Sequence, residues 1–104
     1  MLTYETLDLF SIQNNTIQAR FEKFHQENPH VLRELIRLAE RLVDHGQRRL
    51  SINQLFEVLR FETALQTRGD HFKLNNSYRS FYVRLINDLR PDLGGRFEMR
   101  RMSA

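Results

Sequence analysis

Residues 28–46 read NPHVLRELIRLAERLVDHG, and this stretch decides the fold class. Leu32, Leu35, Ile36, Ala39, Leu42 and Val43 recur at intervals of three and four, while Arg33, Arg37, Glu40, Arg41 and Asp44 take the other side. On a helix that spacing gathers the apolar groups into one stripe, which must be buried against a neighbouring element. Asn28 suits an N-cap, and Pro29 suits the first helical position, where its missing N–H costs nothing. Gly46 is a natural stop after His45. The pattern predicts a helix from Pro29 to about His45.

Toward the N-terminus, Thr16 to Glu27 reads as a second helix. Thr16 is its N-cap, and Ile17, Phe21 and Phe24 follow at spacings of four and three. Residues 1–15 are apolar at Leu2, Tyr4, Leu7, Leu9, Phe10 and Ile12 but follow neither period. They read as an N-terminal arm: a short helix, a docking segment or part of a dimer contact.

Toward the C-terminus, Ser51-x-x-Gln54 is a capping-box pattern. It predicts a helix from Ile52 or Asn53 to about Gln66 that turns Leu55, Phe56, Leu59 and Thr63 inward. Gly69–Asp70 marks a loop. Asn75 is the next N-cap, and Pro91 ends the following helix near Arg90. Tyr78, Phe81, Tyr82, Leu85, Ile86 and Leu89 gather on one side of it. Asn76, Ser80, Val83, Arg84 and Asn87 take the opposite side, with Arg79 and Arg90 on a flank. Leu93–Gly94–Gly95 reads as a turn. Residues 96–102 alternate as a short strand, which could pair with residues 47–50. The expected architecture is mainly α: one domain over residues 16–104, with three to four helices and a small C-terminal β-strand or hairpin.

The chain has 104 residues, which implies one domain. Eight Phe supply much of the apolar area for a core. There is no Cys, which excludes disulfides, thiolate metal sites and thiol catalysis and fits a reducing cytoplasm. Glu5 and Asp8 interrupt the opening residues, so no signal peptide is expected. No stretch approaches the ~18 apolar residues of a membrane span. His25 and His30 flank a Pro-containing break, and His45 and His71 lie apart, so no metal or cofactor site is expected. His45, in a last helical turn, should meet free carbonyls. Glu57 and Arg60 are i, i+3 neighbours that make an ordinary side-chain pair. No catalytic constellation emerges and no small-molecule substrate is evident, so an enzyme is not expected.

The net charge of +3 is unevenly spread: −2 over residues 1–46, +1 over 47–70 and +4 over 71–104. A basic end of this kind concentrates anions such as phosphate backbones.

Helix, short extended segment, capped helix, loop, capped helix, turn and strand follow one another in an order that resembles a winged helix-turn-helix domain over about residues 29–102. The resemblance implies that the helix Asn76 to Arg90 reads the DNA major groove and that residues 93–102 form the wing. Arg79 and Arg84 would then meet phosphate or guanine edges, Asn76 and Asn87 adenine, and Ser80 either. Lys73, Arg96, Arg100 and Arg101 would add positive charge. The segments Phe72-Lys73-Leu74-Asn75-Asn76, Tyr78, Tyr82-x-Arg84, Pro91 and Phe97-Glu98-x-Arg100 are also similar to a group of small uncharacterised phage and prophage proteins. That resemblance implies an accessory or regulatory protein in a bacterial host cytoplasm and carries no activity of its own. With the winged-helix resemblance, the expected role is a regulator or replication accessory with DNA as partner, and as a homodimer if the N-terminal arm or first helix supplies a contact, because one small module makes few base contacts. The other reading is a protein-interaction module that binds a host protein. Basic side chains converging in space favour the first, and scatter beside an apolar patch favours the second.

Overall fold

The computed structural model describes residues 16–66 and 74–97. The expectations for the arm over residues 1–15, for the Gly69–Asp70 loop and for Lys73, Arg100 and Arg101 fall outside these residues. The described chain is mainly helical: α1 (Ile17–Glu27), α2 (His30–Asp44), α3 (Ile52–Gln66), α4 (Arg79–Leu89) and α5 (Pro91–Gly94). A 3-10 turn, Asn76–Tyr78, leads into α4.

The ends of the helices follow from local chemistry. Thr16 Oγ1 accepts the Ala19 N–H at 3.2 Å and satisfies one orphan donor of α1. Asn28 departs from its expected role as the N-cap of α2. Its Nδ2 donates to the Phe24 carbonyl at 3.1 Å, beside its own backbone N–H at 2.8 Å, so it closes α1 instead. Pro29 is already helical at φ −64°, ψ −22°, and leaves no extended residue for a side-chain cap. Gly46, at φ +95°, ends α2. Its N–H bonds the Val43 carbonyl at 2.9 Å and the Gln47 N–H bonds Leu42 at 3.0 Å, a Schellman arrangement that needs the left-handed glycine. Ser51 Oγ accepts the Gln54 N–H at 3.3 Å. The Gln54 side chain does not complete the capping box, because its Oε1 accepts from Gln47 Nε2 at 3.4 Å. Asn75 Oδ1 accepts the Ser77 N–H at 2.8 Å, as a cap should.

The core joins Val31, Leu32, Leu35, Leu38 and Ala39 of α2 to Ile52, Leu55, Phe56 and Leu59 of α3 and Tyr82, Val83 and Ile86 of α4. The α2 stripe is therefore shifted: Val31 and Leu38 are buried, while Ile36, Leu42 and Val43 are only partly so. On α4 the buried face is turned by roughly 75° from the expected one, about three-quarters of a residue step. Val83, expected outside, is 2% exposed, and Leu89, expected inside, is 60% exposed. The cause is α5. The expected turn at Leu93–Gly94–Gly95 is a single helical turn started by Pro91, and it buries Leu93 and Gly94 against α4. α1 packs on the other side of α4 through rings: Phe21 lies 4.9 Å edge-on from Tyr82 and 5.0 Å stacked on Phe81.

Among the described residues there is no sheet. The expected strand over residues 96–102 contributes Phe97, in an isolated parallel bridge with Leu50, and the Leu50 N–H donates to the Arg96 carbonyl at 2.9 Å. The expected pairing with residues 47–50 is thus made at one residue pair. Residues 98–102 lie outside the described chain.

Candidate nucleic-acid interface

The Leu50–Phe97 bridge gathers arginines. Arg48 and Arg49 are exposed just before it on one segment. Arg96, on the other, donates through Nη1 to the Arg48 carbonyl at 3.4 Å and through Nε to the Asp92 carbonyl at 3.1 Å. Both acceptors are neutral backbone oxygens, so the charge of Arg96 is oriented without being neutralised. The sequence reading selected Arg96 and missed Arg48 and Arg49. The expected pairing of residues 47–50 with residues 96–102 contained the signal that would have found them.

A second basic group sits where α3 and α4 begin. Arg79 Nε donates to the Asn76 carbonyl at 2.9 Å, and its Nη1 donates to Oδ1 of Asn53 in the first turn of α3. Arg60 Nη2 donates at 2.6 Å to both the Leu74 carbonyl and Asn76 Oδ1, which leaves the Asn76 amide hydrogens outward. Asn76, Ser77, Arg79, Ser80 and Phe81 line a groove of about 350 Å³ with Ile17 of α1. Arg84 lies beside that groove, its Cζ 5.5 Å from the Phe81 ring centroid. Of the residues expected to meet DNA, the groove therefore unites Asn76, Arg79 and Ser80, with Arg84 beside it. Asn87 is exposed but stands apart, with the short helix α5 against its backbone at Gly94.

Five acidic side chains among the described residues are held by arginines, and of these Glu57 and Asp92 adjoin the basic groups. Glu34 and Glu62 pair with Arg37 at 2.6 and 3.1 Å, and Glu57 pairs with Arg60 at 2.5 Å. Glu40 and Asp92 pair with Arg90 at 2.7 and 3.0 Å. Arg90, expected on a flank of the reading helix, is instead a tie between α2, α4 and α5. Its hydrogen bonds to Asp92 and then Glu40 hold its guanidinium above the ordinary range, and its hydrogen bond holds the Asp92 carboxyl below the usual one. No ion pair among the described residues holds Arg48, Arg49, Arg79, Arg84 or Arg96. Asp88, exposed one turn beyond Arg84, lowers the positive field at that end of α4.

A different surface lies between α2 and α3. Leu38, Leu42, Leu55 and Val58 floor a groove of about 330 Å³, rimmed by Arg41, His45, Gln54 and Glu62. His45 Nδ1 lies 2.7 Å from the Arg41 carbonyl at the end of α2, the contact expected of it. Beside the groove, Phe61 and Leu65 of α3 are 64% and 71% exposed. The expected inward face of α3, Leu55, Phe56, Leu59 and Thr63, leaves this outward one unaccounted for.

Among the described residues no three His, Asp or Glu side chains gather as metal ligands, and no helix is long and apolar enough to cross a membrane. Comparisons of the chain with protein-family models, curated proteins and solved structures give no match.

Proposed function

We propose that this chain is a winged-helix-like nucleic-acid-binding protein that takes double-stranded DNA and acts as a regulatory or replication accessory factor without chemistry of its own. One observation carries the reading. Exposed Arg48 and Arg49 adjoin the Leu50–Phe97 bridge, where Arg96 donates to the Arg48 carbonyl, and Arg79 is fastened to the start of α3 through Asn53, all without a carboxylate partner among the described residues. Unneutralised guanidinium groups repel one another, and a phosphate backbone relieves that repulsion while releasing counterions. The contact set differs from the one the resemblance implies. Arg48 and Arg49 join it, the 3-10 turn supplies Asn76, α4 supplies Arg79, Ser80 and Arg84, and Asn87 leaves it. The resemblance to small phage and prophage proteins read from the sequence would place such a factor in a bacterial host cytoplasm.

The test is fluorescence anisotropy with a labelled random-sequence duplex, and with one of its strands, at two salt concentrations. The expected result is micromolar duplex binding that weakens steeply with salt. Arg48→Ala and Arg49→Ala should each lower the slope of log K against log salt by about one. No binding at low salt overturns the proposal. A second reading, a module that binds a host protein, draws support from the exposed Phe61 and Leu65 beside the α2–α3 groove.

A further inference from the structure

The helix α3 is apolar on two faces. Its inner face, with Ile52, Leu55, Phe56 and Leu59, is buried in the core. Its outer face carries Gln54, Val58, Phe61 and Leu65, spaced four, three and four residues apart. That is the spacing of a coiled-coil seam, in which each side chain meets its counterpart on a facing helix. Phe61 and Leu65 are more than three-fifths exposed, Val58 is half-buried at the groove, and Gln54 stands at the N-terminal end of the row.

We infer that this face joins a second copy of the chain, with the two α3 helices parallel across a two-fold axis that runs along the seam. The charges beside the seam favour that arrangement. Arg41 lies on the α2 side at the level of Val58, because Arg37, one turn before it, pairs with Glu62, one turn after Val58, and both line the same groove; no ion pair among the described residues holds Arg41. Glu57 lies on the other side of the seam at the same level, and its side chain is 72% exposed although Arg60 touches it. A two-fold axis along the seam brings the α2 side of each copy over the opposite side of its mate, so Arg41 of one copy faces Glu57 of the other, twice. An antiparallel pairing would set α2 over α2, Arg41 beside Arg41, and gain nothing from Glu57. The row also places a polar Gln54 opposite Gln54, a pairing that fixes register in parallel helices.

Parallel pairing has a consequence that rests on the nucleic-acid reading. It sets the N-terminal ends of both α3 helices side by side, so Arg48, Arg49 and Arg79 of the two copies lie at the same end of the dimer. Two modest basic surfaces become one that spans more of a duplex. The pairing itself is tested without nucleic acid, so the two readings fail separately.

Sedimentation equilibrium of the full chain should give a concentration-dependent mass rising to twice that of one chain. Phe61→Asp and Leu65→Lys change exposed side chains, and each should shift the equilibrium to monomer by at least tenfold in Kd with an unaltered far-ultraviolet spectrum. Arg41→Glu and Glu57→Arg should each weaken the dimer, and the double exchange should restore it. The chain has no cysteine, so Gln54→Cys gives a single probe. Parallel pairing brings the two thiols within disulfide reach, and oxidation should cross-link the dimer. A monomer at every concentration overturns the proposal and gives this face another occupant. A dimer that Phe61→Asp leaves intact, or in which Gln54→Cys does not cross-link, overturns it equally.

Discussion

A Cβ built on Gly94 would lie 2.3 Å from the Cα of Asn87 and 2.7 Å from its backbone nitrogen. The two helices α4 and α5 meet backbone to backbone at this point, and only glycine allows it. Gly94→Ala should therefore separate them and destabilise the protein by about 1–3 kcal/mol, the usual cost of overpacking a close contact. Gly95 is the control. Its φ of −68° is ordinary, and a Cβ there meets only the Pro91 carbonyl at 3.4 Å. Gly95→Ala should leave stability unchanged or raise it by about 0.5 kcal/mol through the unfolded state. Thermal unfolding of both variants checks the pair, and equal effects would dismiss the close approach.

Asp92 gives the acid limb of stability an assignable part. Its carboxyl is held below its ordinary value by Arg90, so the folded state prefers the charged form more than the unfolded state does. That preference stabilises the fold above the unfolded pKa, near 4, and is lost as pH falls through the lower folded value. As pH falls below about 4, the unfolding temperature of the wild type should fall more steeply than that of Asp92→Asn. The two curves should converge at the acid end. Parallel curves would mean that the Arg90 contact leaves the carboxyl unperturbed.

Tyr82 is fully enclosed, and its hydroxyl is buried without a hydrogen-bond partner among the described residues, as is Nδ1 of His25, whose ring centroid lies 6.1 Å away. Removing an unpaired buried hydroxyl removes a desolvation cost, so Tyr82→Phe should raise stability by about 1 kcal/mol. Burial also pushes the Tyr82 hydroxyl well above its usual range. As pH rises past about 10, the unfolded chain ionises at this residue while the folded one does not, so stability falls. Tyr82→Phe should lose that part of the alkaline decline. A variant less stable than the wild type at pH 7 would place a partner on the hydroxyl.

The elements were legible where one helix face meets one core. Thr16, Gly46, Ser51 and Asn75 act locally, through bonds that reach two to five residues, and sequence spacing is enough to locate them. The face of α4 was not legible, because its orientation depends on what packs behind it. Nothing in the α4 sequence announces that Pro91, besides ending one helix, begins a turn that packs against α4 at Asn87. Asn28 shows the same limit at smaller scale: one carboxamide lies between two helices, and only the geometry of the junction decides which end it serves. The candidate site was legible on one helix and not across elements. Asn76, Arg79, Ser80 and Arg84 follow from α4 and the 3-10 turn that leads into it. Arg48 and Arg49 matter because a backbone bridge sets them beside Arg96, 48 residues away from Arg48.

Arg79 differs from Arg48 and Arg49 in being tied to a side chain of another helix, and this separates a binding role from a structural one. Its Nε and Nη1 are engaged by Asn76 and Asn53, which leaves Nη2 for a ligand. If Arg79 meets a phosphate or a base edge, Arg79→Ala should weaken duplex binding by about 1–3 kcal/mol. Asn53→Ala keeps the charge and releases only the clip, so it should cost about 1 kcal/mol of folding stability. It should leave the salt dependence of binding as it was, because no cation is lost. Arg79→Lys should fall between the two, since an ammonium supplies charge without the planar fork. The decisive comparison sets binding against stability across the three variants. If Arg79→Ala loses stability as Asn53→Ala does while its anisotropy titration overlays the wild type, Arg79 only ties α4 to α3. The interface would then lie with Arg48, Arg49 and Arg96.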